Sequence, residues 1–169
     1  HEWATAPSPT ELYRPLSPKY HAAQGRLYFA SNGYSLRYFT ITDPSLTTFL
    51  IGEPGSRGGG DADGSTTTAR FNFIGNIELS ASQNLLMVSD QLNCKIKSVT
   101  ITGVATATTR IGNGACTYLD GTGAAARVNN PRQLSTPDGG GSFYLAETKY
   151  LRHFSVTGYV LPTIAGRDA

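Results

Sequence analysis

The chain repeats itself at an interval of about 57 residues, and this repeat limits its fold more than any other feature. The stretch DGSTTTARF at Asp63–Phe71 is matched by DGTGAAARV at Asp120–Val128, an offset of 57 positions. The stretch VTITGVATATTRIG at Val99–Gly112 is matched by FSVTGYVLPTIAG at Phe154–Gly166 and by YFTITDPSLTTFLIG at Tyr38–Gly52. We therefore divide the chain into three similar units, at residues 20–70, 71–127 and 128–169.

Each unit has the pattern of short β-strands. No stretch shows apolar residues at helical spacing over three turns, whereas short runs rich in Val, Ile, Thr, Phe and Tyr recur between Gly, Asn, Asp and Ser. The predicted strands are Arg26–Ala30, Ser35–Ile41, Leu46–Ile51, Ile74–Ser80, Leu85–Ser89, Lys95–Ile101, Ala105–Ile111, Arg132–Thr136, Ser142–Ala146, Tyr150–Val156 and Tyr159–Ala165. The pattern predicts an all-β fold.

A repeated four-stranded unit of this length favours one architecture. A single small sheet cannot cover both of its faces, so repeated sheets stack on their neighbours. The period is typical of β-propeller blades. We therefore predict a propeller-type array of about three four-stranded antiparallel blades. A β-sandwich with accidental internal similarity is the alternative.

The first 19 residues differ from the rest of the chain. They read HEWATAPSPTELYRPLSPK and contain Pro7, Pro9, Pro15 and Pro18. Each proline fixes φ and lacks a backbone donor. The segment is predicted to be an extended arm at residues 1–19, outside the blades.

The second unit resembles the NHL repeat, a family of β-propeller blades. That family has a DG…A-R-F entry, an apolar strand ending in Asp, and then Asn and a basic-apolar-basic run. The matching residues here are Asp63, Gly64, Ala69, Arg70, Phe71, Asp90, Asn93, Lys95, Ile96 and Lys97. The third unit keeps Asp120, Gly121, Ala126 and Arg127, with Glu147 at the acidic position and Leu151-Arg152 after it. The first unit has Ser31 at the acidic position, followed by Leu36-Arg37.

The resemblance covers residues 20–169 and implies how the units are arranged. Propellers of this family close with about five or six blades, so three units do not form a ring by themselves. We expect the chain to be part of a longer propeller, or to be completed by self-association. The resemblance also implies that the apolar residue of each Leu36-Arg37 type pair faces a neighbouring sheet, while its basic neighbour points to the opposite face.

Two cysteines lie in loops that the blade topology places on the same side. Cys94 follows the second strand of its unit and Cys116 lies in the next linker. A disulfide between them is allowed, and two unpaired thiols are the alternative. A disulfide favours an oxidising compartment, which agrees with a weak preference for an extracellular, surface or lumenal location.

Few residues suggest catalysis or cofactor binding. Asp61 and Asp63 resemble the start of a calcium loop, but no Glu follows at the bidentate position, so they are weak candidates. Some NHL-type proteins are amidating lyases with axial metal-binding histidines, and here His21 and His153 have no second His placed beside them. We predict no catalytic residue and no cofactor.

We therefore predict a non-catalytic protein-interaction or scaffold module. Its partner is another protein or the remainder of a longer chain. The candidate interaction residues are Arg37, Asp90, Asn93, Lys95, Lys97, Glu147 and Arg152. An enzyme whose site is completed by residues outside this chain is one alternative. RNA binding by a basic face with Arg110 and Lys149 is another, although a net charge of +2 makes nucleic acid a poor candidate. No apolar run is long enough to span a membrane.

Overall fold

The computed structural model describes residues 14–53 and 59–166, and these residues form an all-β fold. The first sheet has the order β1-β2-β3-β4 and is antiparallel throughout. Its strands are β1 (Pro15–His21), β2 (Arg26–Ser31), β3 (Ser35–Thr40) and β4 (Asp43–Gly52), with a 3₁₀ turn at Ala22–Gln24.

The second sheet repeats this antiparallel arrangement and gains one short strand, in the order β5-β9-β8-β7-β6. Its strands are β5 (Gly64–Ser65), β6 (Ile74–Leu79), β7 (Leu85–Asp90), β8 (Lys95–Thr100) and β9 (Thr106–Ile111), with a 3₁₀ turn at Gln91–Asn93.

The third sheet has the order β11-β12-β13-β15, and a separate short pair joins β10 to β14. The strands are β10 (Gly121–Thr122), β11 (Gln133–Ser135), β12 (Ser142–Ala146), β13 (Tyr150–Ser155), β14 (Val160–Leu161) and β15 (Thr163–Gly166), with a 3₁₀ turn at Gly123–Ala125. Pro162 separates β14 from β15, which the sequence predicted as one strand.

The all-β prediction is confirmed, but the predicted arm is wrong for residues 15–19. These residues belong to β1, which pairs with β2 from Pro15↔Ser31 to His21↔Arg26. The register shifts between Leu16 and Lys19. An edge strand tolerates Pro18 because one side of the strand needs no backbone donor. The rest of the predicted arm, residues 1–13, lies outside the described residues.

The three sheets are stacked in chain order through two apolar cores. Between the first two sheets, the core includes Tyr28, Leu36, Ile51, Ile77, Leu86, Val88 and Val99. Between the second and third sheets, it includes Met87, Ile96, Ile111, Leu134, Phe143, Leu145 and Phe154. The second sheet therefore has both faces covered. The first and third sheets each have one face against it.

A glycine at the end of the last strand of each sheet lets the chain pass close to a backbone carbonyl oxygen of the preceding turn. Gly52, Gly112 and Gly166 have φ values of +112°, +92° and +124°. A Cβ on Gly52 would lie 2.5 Å from the Tyr34 carbonyl oxygen, and one on Gly112 would lie 2.5 Å from the Cys94 carbonyl oxygen. These positions therefore exclude larger residues in all three units.

The structure joins Cys94 and Cys116 in a disulfide, with a Cα–Cα distance of 5.2 Å and a sequence separation of 22 residues. The bond links the turn between β7 and β8 to the linker that leads into the third sheet. Closing a loop of this length contributes about 3 kcal/mol to stability in the chain-entropy account. The disulfide thus holds the second linker beside the sheet that it leaves.

Candidate functional site

Lys97 on β8 lies at the centre of a buried ion-pair cluster. Its side chain is 0% exposed, and its Nζ donates to Asp61 Oδ1 at 3.1 Å. The ammonium also lies 3.4 Å from Asp90 Oδ2 and 3.6 Å from Asp63 Oδ1. It donates to the backbone carbonyls of Ala62 at 3.3 Å and Arg70 at 3.1 Å. The buried charge is therefore paired and hydrogen-bonded, as a buried cation requires.

Asp90 at the end of β7 completes this cluster. Its Oδ1 accepts a hydrogen bond from the Asn72 amide at 2.7 Å, and its Oδ2 accepts one from Asn93 Nδ2 at 2.9 Å. Asn93 Nδ2 also donates to the Gly60 carbonyl at 2.7 Å. Both side chains thereby connect the second sheet to the linker that precedes it.

Arg152 on β13 has the same role in the third unit. Its guanidinium is fully buried and binds Asp120 Oδ1 at 2.8 Å and Glu147 Oε1 at 3.4 Å. It also donates to the carbonyls of Arg127, Leu119 and Leu161, each at 2.9 Å. Glu147 accepts a hydrogen bond from the Asn129 amide at 3.0 Å. The hydrogen bond from the Asn72 amide to Asp90 is therefore matched by the hydrogen bond from the Asn129 amide to Glu147.

Each linker also contains a short paired strand, which joins the second sheet in the first linker and forms a separate two-stranded pair in the second. β5 of the first linker pairs with β9 through Gly64↔Ala107 and Ser65↔Thr106. β10 of the second linker pairs with β14. Single bridges close the two linkers, Ala62↔Arg70 in one and Leu119↔Arg127 in the other. The repeated DG…AR sequence thus folds into a bridged loop, called the clasp below, at residues 62–70 and 119–127. Its backbone carbonyls accept hydrogen bonds from Lys97 in the first linker and from Arg152 in the second.

The residues predicted to form an interaction surface are mostly inside the molecule, so that prediction is corrected. Most are used to bind the linkers of their own chain. The buried ones are Arg37, Asp90, Asn93, Lys97, Glu147 and Arg152. Lys95 is half-buried and binds Asp61 Oδ2 at 2.5 Å. Strand alternation predicts only that the basic residue points to the face opposite its apolar neighbour, and at Lys97 and Arg152 a linker covers that face.

The weak calcium candidates and the histidines have other neighbours. Asp61 binds Lys95 and Lys97, and Asp63 accepts hydrogen bonds from the amide and hydroxyl of Thr109 at 2.8 Å each. Within residues 14–53 and 59–166, no three His, Cys, Asp or Glu side chains are arranged to hold a metal ion. His21 Nε2 lies 2.8 Å from the Gln83 carbonyl in an open depression between the first two sheets.

Burial shifts the pKa of the carboxyl groups in both clusters. Desolvation raises the pKa of Glu147 to about 7, against the opposing effects of the Asn129 amide and Arg152. Desolvation likewise raises the pKa of Asp90. The pKa of Asp61 is lowered, because hydrogen bonds from Lys95 and Lys97 outweigh its partial desolvation. Burial therefore raises the pKa of the two deepest carboxyl groups, whereas the two lysines lower the pKa of the linker carboxyl group Asp61.

The outer face of the third sheet is exposed and partly apolar. Tyr144 is 39% exposed and Leu151 is 41% exposed. Tyr144 contacts the His153 ring at a centroid distance of 5.3 Å, and Leu151 pairs with Ala165 across β13 and β15. Leu36 and Ile96, which precede the basic residue in the other two units, are 0% exposed. This face, defined by Tyr144, Leu151, His153 and Ala165, is called the outer face below.

Solved structures with the same fold are much longer than this chain. An auxiliary nutrient binding protein from Bacteroides thetaiotaomicron matches 90% of the chain with a TM-score of 0.66 at 21% identity. An auxiliary nutrient binding protein from Bacteroides ovatus matches 95% with a TM-score of 0.71 at 15% identity. A third, a structural genomics protein of unknown function from Bacteroides thetaiotaomicron, matches 92% with a TM-score of 0.67 at 17% identity.

The chain spans 36% of the first and third of these proteins and 38% of the second. At these identities the likeness shows a shared fold alone. No family model matches the sequence, and no curated protein matches it. The resemblance to NHL repeats therefore stays a prediction. In the part of the chain that the structure describes, no helix is long and apolar enough to cross a membrane.

We predict that Arg152→Met lowers the free energy of unfolding by about 3–5 kcal/mol, because it leaves buried carboxyl and carbonyl groups without their donor. Urea denaturation measures this change. Arg132→Met is the matched control, since Arg132 is exposed, and it should change stability by no more than about 0.5 kcal/mol. Equal effects of the two substitutions would contradict the structural role of Arg152.

We predict that Glu147 makes the chain more stable at lower pH within the range 6–8. Its pKa is about 7 in the folded chain against an ordinary value of 4.5, so folding takes up a proton between these values. The stabilisation is complete below the unfolded pKa and is lost as the pH rises through about 7. The free energy of unfolding should fall by about 1 kcal/mol from pH 6 to 8.

Glu147→Gln is the control for this pH dependence, because the amide does not titrate. The variant should flatten the profile measured by urea denaturation at pH 6, 7 and 8. An unchanged slope in the variant would assign the pH dependence to other groups, such as histidine.

Proposed function

We propose that this chain is a non-catalytic protein-interaction or scaffold module, built from three NHL-like blades of a larger or oligomer-completed β-propeller. One observation carries the proposal. Leu151 occupies the position at which Leu36 and Ile96 are buried by the following sheet, yet it is 41% exposed. The outer face therefore has the composition of a face that packs on a further sheet or on a partner protein.

The internal use of the charged motif residues supports this function. Lys97, Arg152 and their carboxylates bind the linkers of their own chain and are not free to bind a substrate. Rigid sheets with buried charges and an exposed apolar face suit a structural role better than a catalytic one.

The comparisons and the disulfide also support the proposal. The solved structures are more than twice as long as this chain, which agrees with a fold that contains more sheets than the three described here. Two of them are titled auxiliary nutrient binding proteins, which names a binding role. A disulfide between Cys94 and Cys116 favours an oxidising location, such as the cell surface or the extracellular space.

The alternatives are weighed by the same contacts. The RNA-binding alternative is weakened because two of its candidate basic residues, Lys97 and Arg152, are buried and do not reach solvent. An enzyme whose site is completed by residues outside this chain stays the first alternative. Bound metal in the native assembly would favour it.

We predict that a photo-crosslinking phenylalanine analogue in place of Leu151 gives specific crosslinks in the native source, because this face packs on further polypeptide. The same analogue in place of Val104 is the matched control, since Val104 is 72% exposed in the turn between β8 and β9. Mass spectrometry of the crosslinked peptides should place the products of position 151 on a second sheet or partner. Equal crosslinking at both positions would contradict the proposal.

A further inference from the structure

Both joints between neighbouring sheets use the same backbone hydrogen bond. The glycine that ends the last strand of a sheet donates its amide to the linker that leaves the sheet. Gly52 donates to the Thr66 carbonyl at 3.2 Å. In the next joint, Gly112 donates to the Gly123 carbonyl at 3.1 Å. Each acceptor lies three residues after the aspartate of its Asp-Gly pair, so the two linkers are bound to the sheets before them in the same register.

Each sheet also has the same cross-strand pair of residues beside this glycine. One member of the pair precedes the basic residue of the third strand, and the other precedes the terminal glycine. The four residues of the first two pairs are 0% exposed, whereas Leu151 is 41% exposed and Ala165 is also exposed. The face is therefore built in all three sheets and covered in two. The pairs are Leu36↔Ile51, Ile96↔Ile111 and Leu151↔Ala165.

An alanine and a larger apolar residue of each linker pack on the covered pairs. Ala69 and Phe71 belong to the apolar core of the first pair, and Ala126 and Val128 belong to that of the second. In both linkers the alanine lies six residues after the aspartate of the Asp-Gly pair, and the larger residue lies eight residues after it. A Cβ on Gly112 would lie 3.3 Å from Val128 Cγ2, so the larger residue also reaches the terminal glycine. One sequence, Asp-Gly-x4-Ala-Arg-apolar, thus fits this face in both joints.

The exposed pair of the third sheet is smaller than the two covered pairs. Ala165 occupies the position of Ile51 and Ile111, which have much larger side chains. Protein interiors are close-packed, so a smaller residue on one side of a joint favours a larger one on the other side. The covered pairs pack on phenylalanine in one joint and on valine in the other. The third pair therefore favours an aromatic residue over valine.

We infer that Leu151, Ala165 and Gly166 form a receptor for an Asp-Gly-x4-Ala-Arg-aromatic linker of a further sheet, carried by polypeptide outside the three described units. The carbonyl three residues after the aspartate would accept the Gly166 amide, and the alanine and the aromatic residue would cover Leu151 and Ala165. This inference rests on the proposed function and names the partner that the outer face takes. Both described linkers are already bound by their own sheets, so a second copy of these units is not the source.

Peptide binding tests the receptor on the unmodified chain. The probe is the peptide DADGSTTTARFNF, residues 61–73 of the chain itself, titrated against isotope-labelled protein and followed by NMR. We expect saturable shifts at the Gly166 amide and the Leu151 methyl groups, with a dissociation constant on the order of 1 mM. The peptide with Val in place of Phe71 should bind about 5-fold more weakly, because it buries less apolar area. The peptide with Ala in place of Thr67 is the matched control and should bind equally, since Thr67 is exposed in the linker.

A substitution in the receptor gives the second test. Leu151→Glu should weaken binding of the peptide by at least about 10-fold, because it places a charge in an apolar contact. Leu151 is exposed in the isolated chain, so the Tm of this variant should stay within about 2 °C of the unmodified chain. Val104→Glu is the matched control, since Val104 is also exposed, and it should leave both binding and Tm unchanged.

Absence of saturable shifts at Gly166 and Leu151, or equal binding of the Phe and Val peptides, would overturn the inference. Crosslinks from position 151 to a second copy of the described units would also overturn it. The proposed function is read separately, from whether position 151 forms specific crosslinks to any polypeptide. Crosslinks to a partner that lacks the linker sequence would keep the scaffold function and remove this receptor.

Discussion

A buried cation on the third strand of a sheet, bound by the linker that enters that sheet, is the interaction on which the rest of the structure depends. Lys97 and Arg152 each bind a carboxylate at the end of the second strand, linker carboxylates and linker carbonyls. Breaking such a buried pair costs more than an exposed pair contributes, since the remaining charges stay desolvated. The linkers supply most of the acceptors of both cations, so the buried charges favour one position of each linker.

This constraint explains why the three sheets form an ordered array. The clasped linker contains a short paired strand and leaves apolar side chains on the two sheets facing each other. The disulfide adds a covalent link between the second linker and the sheet before it. The third sheet differs from the other two on its outer face, where Leu151 is 41% exposed while Leu36 and Ile96 at the corresponding positions are 0% exposed.

The sequence predicted the strands well and the location of the charges poorly. All eleven predicted strands correspond to strands of the structure, because alternation and Gly or Asn boundaries are local signals. β1 was not predicted because its prolines indicated an extended arm, and β5 and β10 are too short to have such a pattern. Lys97 and Glu147 were placed on an accessible surface because strand alternation gives only the face of a side chain. Whether a linker covers that face depends on contacts between residues over 25 positions apart, such as Lys97 with Arg70.

Native-state hydrogen exchange tests the clasp most directly. The amides of Ala62 and Arg70, which bridge the first linker, should lose protection by a factor on the order of ten in Lys97→Met relative to the unmodified chain. The amides of Val88 and Ser98 in the second sheet should keep theirs. If all four amides changed equally, or if the linker amides kept their protection without Lys97, the buried cation would not be what fastens the linker.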